Sequence, residues 1–156
     1  TERTFMNLHE IYTPDRIKLH LHSSHKDEVF EELTNFLAKQ IPLSNAEEIL
    51  TALRTREQKM TTGIKNGIAV PHGRTSLIEG ITGDLGISDQ GIDYDALDKK
   101  PVHYVFLFLS DPSTQQEHLN LLSHIGKLAE DKQLLYKFST AETPEKIHSL
   151  LTSSIL

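Results

Sequence analysis

The segment PVHYVFLFLS, Pro101 to Ser110, constrains the fold more than any other stretch of the chain. Apolar and aromatic side chains occupy both alternating positions from Tyr104 to Leu109, so neither face of an extended chain here can be left in water. The segment is expected to be a central strand, and a central strand requires other elements to cover it.

The remaining pattern supplies them. Arg16–His22, RIKLHLH, alternates Ile17, Leu19 and Leu21 with polar residues, as a half-buried strand does. Ser24 with Asp27 resembles a capping box, and Val29, Leu33, Phe36 and Leu37 follow at helical spacing. Ser44 with Glu47 repeats the signature before a stripe of Ala46, Ile49, Leu50 and Leu53, giving a second helix that reaches Arg54–Arg56. GIAVPH reads as a short buried strand entering a loop, and GITGDLGIS as a weaker, glycine-rich strand. Thr114 with Glu117 opens a helix to about Glu130, and Thr143–Pro144 opens a last one, with proline at the first helical position. The order is strand, helix, helix, three strands, helix, helix. It predicts an α/β fold, a mixed central sheet with helices on both faces, formed as a single domain over residues 1–156.

Composition narrows the function. The chain of 156 residues has no cysteine, which excludes disulfides, thiolate chemistry and cysteine-ligated zinc. A formal charge of −6, with Lys and Arg scattered along the chain, argues against nucleic acid and acidic membranes as partners. No apolar run has the length of a membrane span, and the N-terminal stretch lacks the apolar centre of a signal peptide; a cytoplasmic protein is expected. There is no internal repeat and no Gly-rich nucleotide loop of either common kind.

The chemistry is expected in GIKNGIAVPHGRTS, Gly63 to Ser76. Imidazole suits transient phosphoryl transfer, being substantially neutral near pH 7 with a nucleophilic ring nitrogen. A histidine that meets two successive partners needs an exposed, rigidly oriented ring. Pro71 restricts the backbone before His72, and Gly73 removes bulk after it, where a donor's backbone would approach. The plain alternative is a strand-ending turn with a surface histidine, since Pro and Gly are common turn residues.

REQKMTTGIKNGIAVPHGR, Arg56 to Arg74, resembles the active-site signature of phosphotransferase-system (PTS) IIA domains of the mannitol/fructose type (type 2). His72 followed by Gly73 and Arg74 is most similar to the nitrogen-regulatory IIA proteins, and the segments from Leu8 to Gln40 and from Pro101 to Asp131 resemble the family as well. The resemblance implies that His72 is the phosphoryl acceptor, modified at Nε2 while main-chain oxygen orients Nδ1. It implies that Arg56 is the active-site arginine, a planar, permanently charged donor for phosphoryl oxygens, and that His118 is the second active-site histidine. The implied donor is the carrier HPr or its nitrogen-branch counterpart. Onward transfer would go to a IIB cysteine in sugar uptake, or phosphorylation would select regulatory target proteins. No metal or other cofactor is implied. A chain with no fused IIB or membrane segment favours regulation over transport; a binding module that never accepts phosphate is the minor alternative.

Other features compete less well. Lys65 departs from the Gly or Ala usual in the family motif, and is expected to be a solvated lysine or to lie near the phosphate entrance. His118 shares a helix face with Leu122, Ile125 and Ala129, as a buried core histidine would. His20 and His22 alternate on one strand face as metal ligands could, without a convincing third ligand; a polar strand face is the expectation. Arg54 and Arg56, two residues apart on a helix, point in different directions, so one of them faces the site. No G-x-S-x-G elbow supports serine hydrolysis.

Overall fold

A computed structural model describes residues 7–42 and 44–153. The ends of the expected 1–156 domain, and the start of the stretch read for a signal peptide, lie outside them. The elements are α1 (Leu8–Ile11), a 3-10 turn (Pro14–Arg16), β1 (Ile17–Lys18), α2 (Lys26–Ala38), α3 (Ala46–Lys59), β2 (Ile68–Ala69) and β3 (His72–Arg74). Then come β4 (Ile81–Ile92), β5 (Val102–Ser110), α4 (Gln115–Leu128), α5 (Lys132–Thr140) and α6 (Pro144–Ser153). No helix among the described residues is long and apolar enough to cross a membrane.

The sheet is mixed, as expected. Its order is β1-β4-β5-β2, and β3 also pairs with β5, along the same edge as β2. β4 and β5 are antiparallel, whereas β1 runs parallel to β4, and β2 and β3 run parallel to β5. Strand β5 divides its side chains between two cores. Tyr104, Phe106 and Phe108 join Leu121, Ile125, Phe138 and Leu151 of the C-terminal helices, while Val105, Leu107 and Leu109 join Val29, Leu33, Ile49 and Leu53 of α2 and α3. Helices therefore cover both faces, and the apolar run at both parities is what demands it.

Several local expectations are corrected. Helix α2 begins one residue later than Ser24–Asp27 suggested: His25 is the N-cap, and the Glu28 carboxylate accepts from the backbone N–H groups of Ser24 and His25. Helix α3 shifts in the same way, with Asn45 as N-cap accepting from Glu48 N at 3.1 Å instead of a Ser44–Glu47 box. The strand expected over Arg16–His22 is formally two residues, because His20 turns into the left-handed region at φ 59°. Pairing resumes beyond it, where Leu21 N donates to Ile87 O. Strand β4, read as the weaker one, runs for 12 residues between β1 and β5. Its Gly83 suits the close pairing with β5: a Cβ there would overlap Leu107 O and come within 3.0 Å of Phe108 Cα. Helix α5 went unexpected, although Asp131 caps it by accepting from Leu134 N and Leu134, Leu135 and Phe138 are its buried face.

Candidate active site

His72 lies on β3, and the chain does not leave the sheet at Pro71. Pro71 cannot donate, but its carbonyl accepts from Phe108 N at 3.1 Å, after which His72–Arg74 pairs with Phe108–Ser110. The expected exposed loop is thus an edge strand, and His72 is only 6 % exposed. Its ring is rigid, as transfer requires, but the rigidity comes from packing: it stacks on Phe108, its cross-strand neighbour, with centroids 5.2 Å apart and planes 9° from parallel. Gly73 also serves a different end from the one its sequence suggested. A Cβ there would lie 3.1 Å from Ala52 Cβ and 3.2 Å from its carbonyl carbon, so Gly73 lets α3 close onto the edge strand.

That approach forms a cleft of about 440 Å³ lined by Ala52, Thr55, Arg56 and Lys59 of α3, His72, Gly73 and Arg74 of β3, and His118 of α4. The three residues carried by the family resemblance therefore meet in one cavity. His118 packs edge-on to His72 with centroids 5.1 Å apart, and edge-on to Phe108 at 4.9 Å. Arg56 Nη1 donates to Met60 O at 2.9 Å, which anchors the guanidinium at the end of α3. Arg54 faces elsewhere, donating to Asp27 at 2.8 Å and pairing with Glu31. Sequence reasoning missed Lys59 as a lining cation and treated Arg74 only as part of a motif; nothing in a lone lysine near a helix end would have signalled it.

The two ring environments favour neutral imidazole. Burial lowers the His72 pKa most, with the Arg56 and Arg74 charges adding to it, while the hydrogen bond to Val70 and the Glu57 carboxylate oppose the change. His118 falls to about 4, through burial first and then the charges of His72, Arg74 and Arg56. His72 Nδ1 lies 2.7 Å from Val70 O; a carbonyl only accepts, so Nδ1 holds the proton and Nε2 the lone pair. Val70 itself is fixed by its N–H donating to Thr62 O, and Thr62 is held by the Glu57 carboxylate, which accepts from its N–H at 2.7 Å and its hydroxyl at 2.6 Å.

The matching family model covers residues 10–154 and describes the phosphoenolpyruvate-dependent sugar phosphotransferase system, EIIA 2. The chain belongs to this family. The IIA chain is 31% identical over 146 residues to a nitrogen regulatory protein of Pseudomonas aeruginosa, covering 94% of this chain and 95% of that one. It is 30% identical over 146 residues to the fructose-specific EIIABC component of Bacillus subtilis, again over 94% of this chain but spanning only 23% of that longer protein. The crystal structure of nitrogen regulatory protein IIA-Ntr from Neisseria meningitidis superposes with a TM-score of 0.82 at 28% identity, covering 92% of this chain and 98% of that one. IIA mannitol from Escherichia coli shares the fold, with a TM-score of 0.70 at 17% identity over 88% of this chain and 96% of that one.

The remaining sequence candidates lie outside the cleft. Lys65 pairs with Glu130 of the α4–α5 turn and is not among the cleft residues. His20 pairs with Asp89, His22 and His25 are exposed, and no group of three metal-ligating side chains occurs among the described residues.

Proposed function

We propose that this IIA chain is a regulatory phosphohistidine carrier, with residues 1–156 acting as one domain and His72 taking the phosphoryl group from HPr or a nitrogen-branch counterpart. The observation that carries this reading is the His72–Val70 hydrogen bond, which leaves an Nε2 lone pair on a ring lining a cationic cleft. In the transfer, the donor's P–N bond breaks as Nε2–P forms, and the bonding pair returns to the donor's ring nitrogen. The phosphorylated His72 ring becomes cationic, since Nδ1 keeps its proton, and Val70 O then stabilises it through a charge-assisted hydrogen bond. Arg56 and Arg74, with Lys59, offset the charge spread over the phosphoryl oxygens. The exposed Met60 and Leu119 adjoin Lys59 and His118 in the chain and offer apolar contact to a protein donor.

Regulation is favoured by the likeness to nitrogen regulatory proteins in both sequence and structure, at 31% identity to the Pseudomonas aeruginosa protein and a TM-score of 0.82 to IIA-Ntr from Neisseria meningitidis. Sugar uptake, with onward transfer to a IIB cysteine, draws support from the fructose-specific relative. Phosphate placed on His72 would add negative charge to the cleft and switch which protein surfaces dock there.

The test is intact mass after incubation with enzyme I, HPr and phosphoenolpyruvate. The expected result is an acid-labile gain of about 80 Da in the wild type and none in His72→Ala. Labelling of folded His72→Ala would sink the acceptor assignment. Rapid passage of the label to a IIB domain would favour transport; phosphorylation-dependent capture of defined regulatory targets without such passage would favour regulation.

A further inference from the structure

The two buried histidines of the cleft differ in the group that faces Nδ1. For His72 it is a carbonyl, which leaves no choice of tautomer. For His118 it is the Ser110 hydroxyl, 2.7 Å away, which can either donate or accept. The surroundings of Ser110 remove that ambiguity. It ends β5, is 0 % exposed, and its Oγ has no other hydrogen-bond partner among the described residues. If His118 Nδ1 were the donor, the serine proton would be buried without an acceptor, an arrangement that costs most of a hydroxyl's desolvation. If the serine donates, both polar groups are satisfied and the ring proton resides on Nε2. The Ser110 backbone is held in place, because its carbonyl accepts from Thr75 N at 2.9 Å and its main chain pairs with both β3 and β4. His118 is neutral near pH 7, so its tautomer and not its charge sets what it offers the cleft.

We infer that Ser110 is a positioning residue that holds His118 as the Nε2–H tautomer, so that the cleft presents one lone pair, on His72, and one N–H, on His118, to the same phosphoryl group. This rests on the reading of His72 as acceptor. The opposite His118 tautomer would turn a second lone pair towards the phosphoryl oxygens and repel them. In the inferred state the His118 N–H donates a hydrogen bond to a phosphoryl oxygen as charge is redistributed, and no proton leaves the ring.

Ring nitrogen NMR on 15N-histidine-labelled, unphosphorylated protein above about pH 7 tests the tautomer directly, with no need for a phosphoryl donor. The wild type is expected to show His118 protonated at Nε2 with a hydrogen-bonded, unprotonated Nδ1, and His72 the reverse. Ser110→Ala should move the His118 Nδ1 signal towards that of a tautomer mixture and slow phosphoryl uptake about tenfold, less than outright loss of such a donor. Ser110→Thr, which keeps the hydroxyl, should restore both. A wild-type His118 carrying its proton on Nδ1 would overturn the inference, as would a Ser110→Ala protein whose His118 signals and uptake rate match the wild type. A wild type with the expected tautomers that takes up no phosphate leaves the Ser110 assignment standing and removes the acceptor reading instead.

Discussion

Two places in this molecule bury polar side chains against the same sheet, and they treat them in opposite ways. In the cleft, each buried imidazole has a defined partner: Val70 O for His72 and Ser110 Oγ for His118. Beneath α2, Asp84 of β4 is 0 % exposed, yet neither carboxylate oxygen has a hydrogen-bond partner in another residue, and Arg16 Nε and Thr34 Oγ1 likewise make no hydrogen bond. Burial pushes the Asp84 pKa well up, with the Arg16 charge opposing it only in part. The contrast separates two uses of buried polarity. Paired groups are oriented, and orientation serves transfer; an unpaired carboxyl costs stability and orients nothing.

The largest test of that contrast is Arg56→Ala. It should cut phosphoryl uptake roughly 10²-fold or more, as loss of a charge-stabilising donor does, while the unfolding midpoint moves by no more than about 1 kcal/mol equivalent. Equal losses in rate and stability would dissolve the distinction.

The next is pH. The His118 pKa of about 4 lies below its ordinary 6.5, so between those values the unfolded chain takes up a proton that the native state refuses. Stability should therefore fall as pH drops from 6.5 towards 4, by up to about 3 kcal/mol from this group. The lowered pKa of His72 acts in the same direction. Urea midpoints across this range should show a shallower decline in His118→Gln than in the wild type.

Asp84→Asn should behave in the reverse sense. Above the ordinary carboxyl pKa of 3.8 the unfolded chain releases a proton that buried Asp84 retains, so rising pH weakens the native state until the buried group ionises. The substitution should raise the midpoint at neutral pH, by an amount that shrinks towards zero near pH 4, and leave phosphoryl uptake unchanged. A lower midpoint at neutral pH would show that Asp84 is ionised and paired with Arg16.

Smallest is Lys65→Ala. Its ion pair with Glu130 joins two side chains that are 47% and 64% exposed, so stability should change by less than about 0.5 kcal/mol and uptake not at all. Slower uptake would bring Lys65 back to the phosphate entrance.

Much of this was legible along the chain. The central strand showed because Tyr104–Leu109 is apolar at both parities, and the site because Arg56, His72 and His118 carry a family pattern. Cap positions were readable to within one residue, since Ser, Asn and His at adjacent positions compete for the same N-terminal N–H groups. β4 was underrated because glycine reads as weak strand propensity, whereas Gly83 is required by the close approach of the Leu107 and Phe108 backbone on β5. His72 was read as exposed because Pro-His-Gly looks like a turn, and no local signal reveals that β5 will pair with it.

By itself the sequence determined the layered α/β fold, because hydrophobic parity is a property of residues taken in order, and its resemblance to the family singled out His72, Arg56 and His118 as site candidates. Only the tertiary structure decided which arginine enters the cleft, how closely α3 approaches Gly73, and which nitrogen of each histidine holds the proton. Those depend on atoms that the chain separates and folding brings within hydrogen-bonding or van der Waals distance: Ala52 with Gly73, Phe108 with His72, and Ser110 with His118.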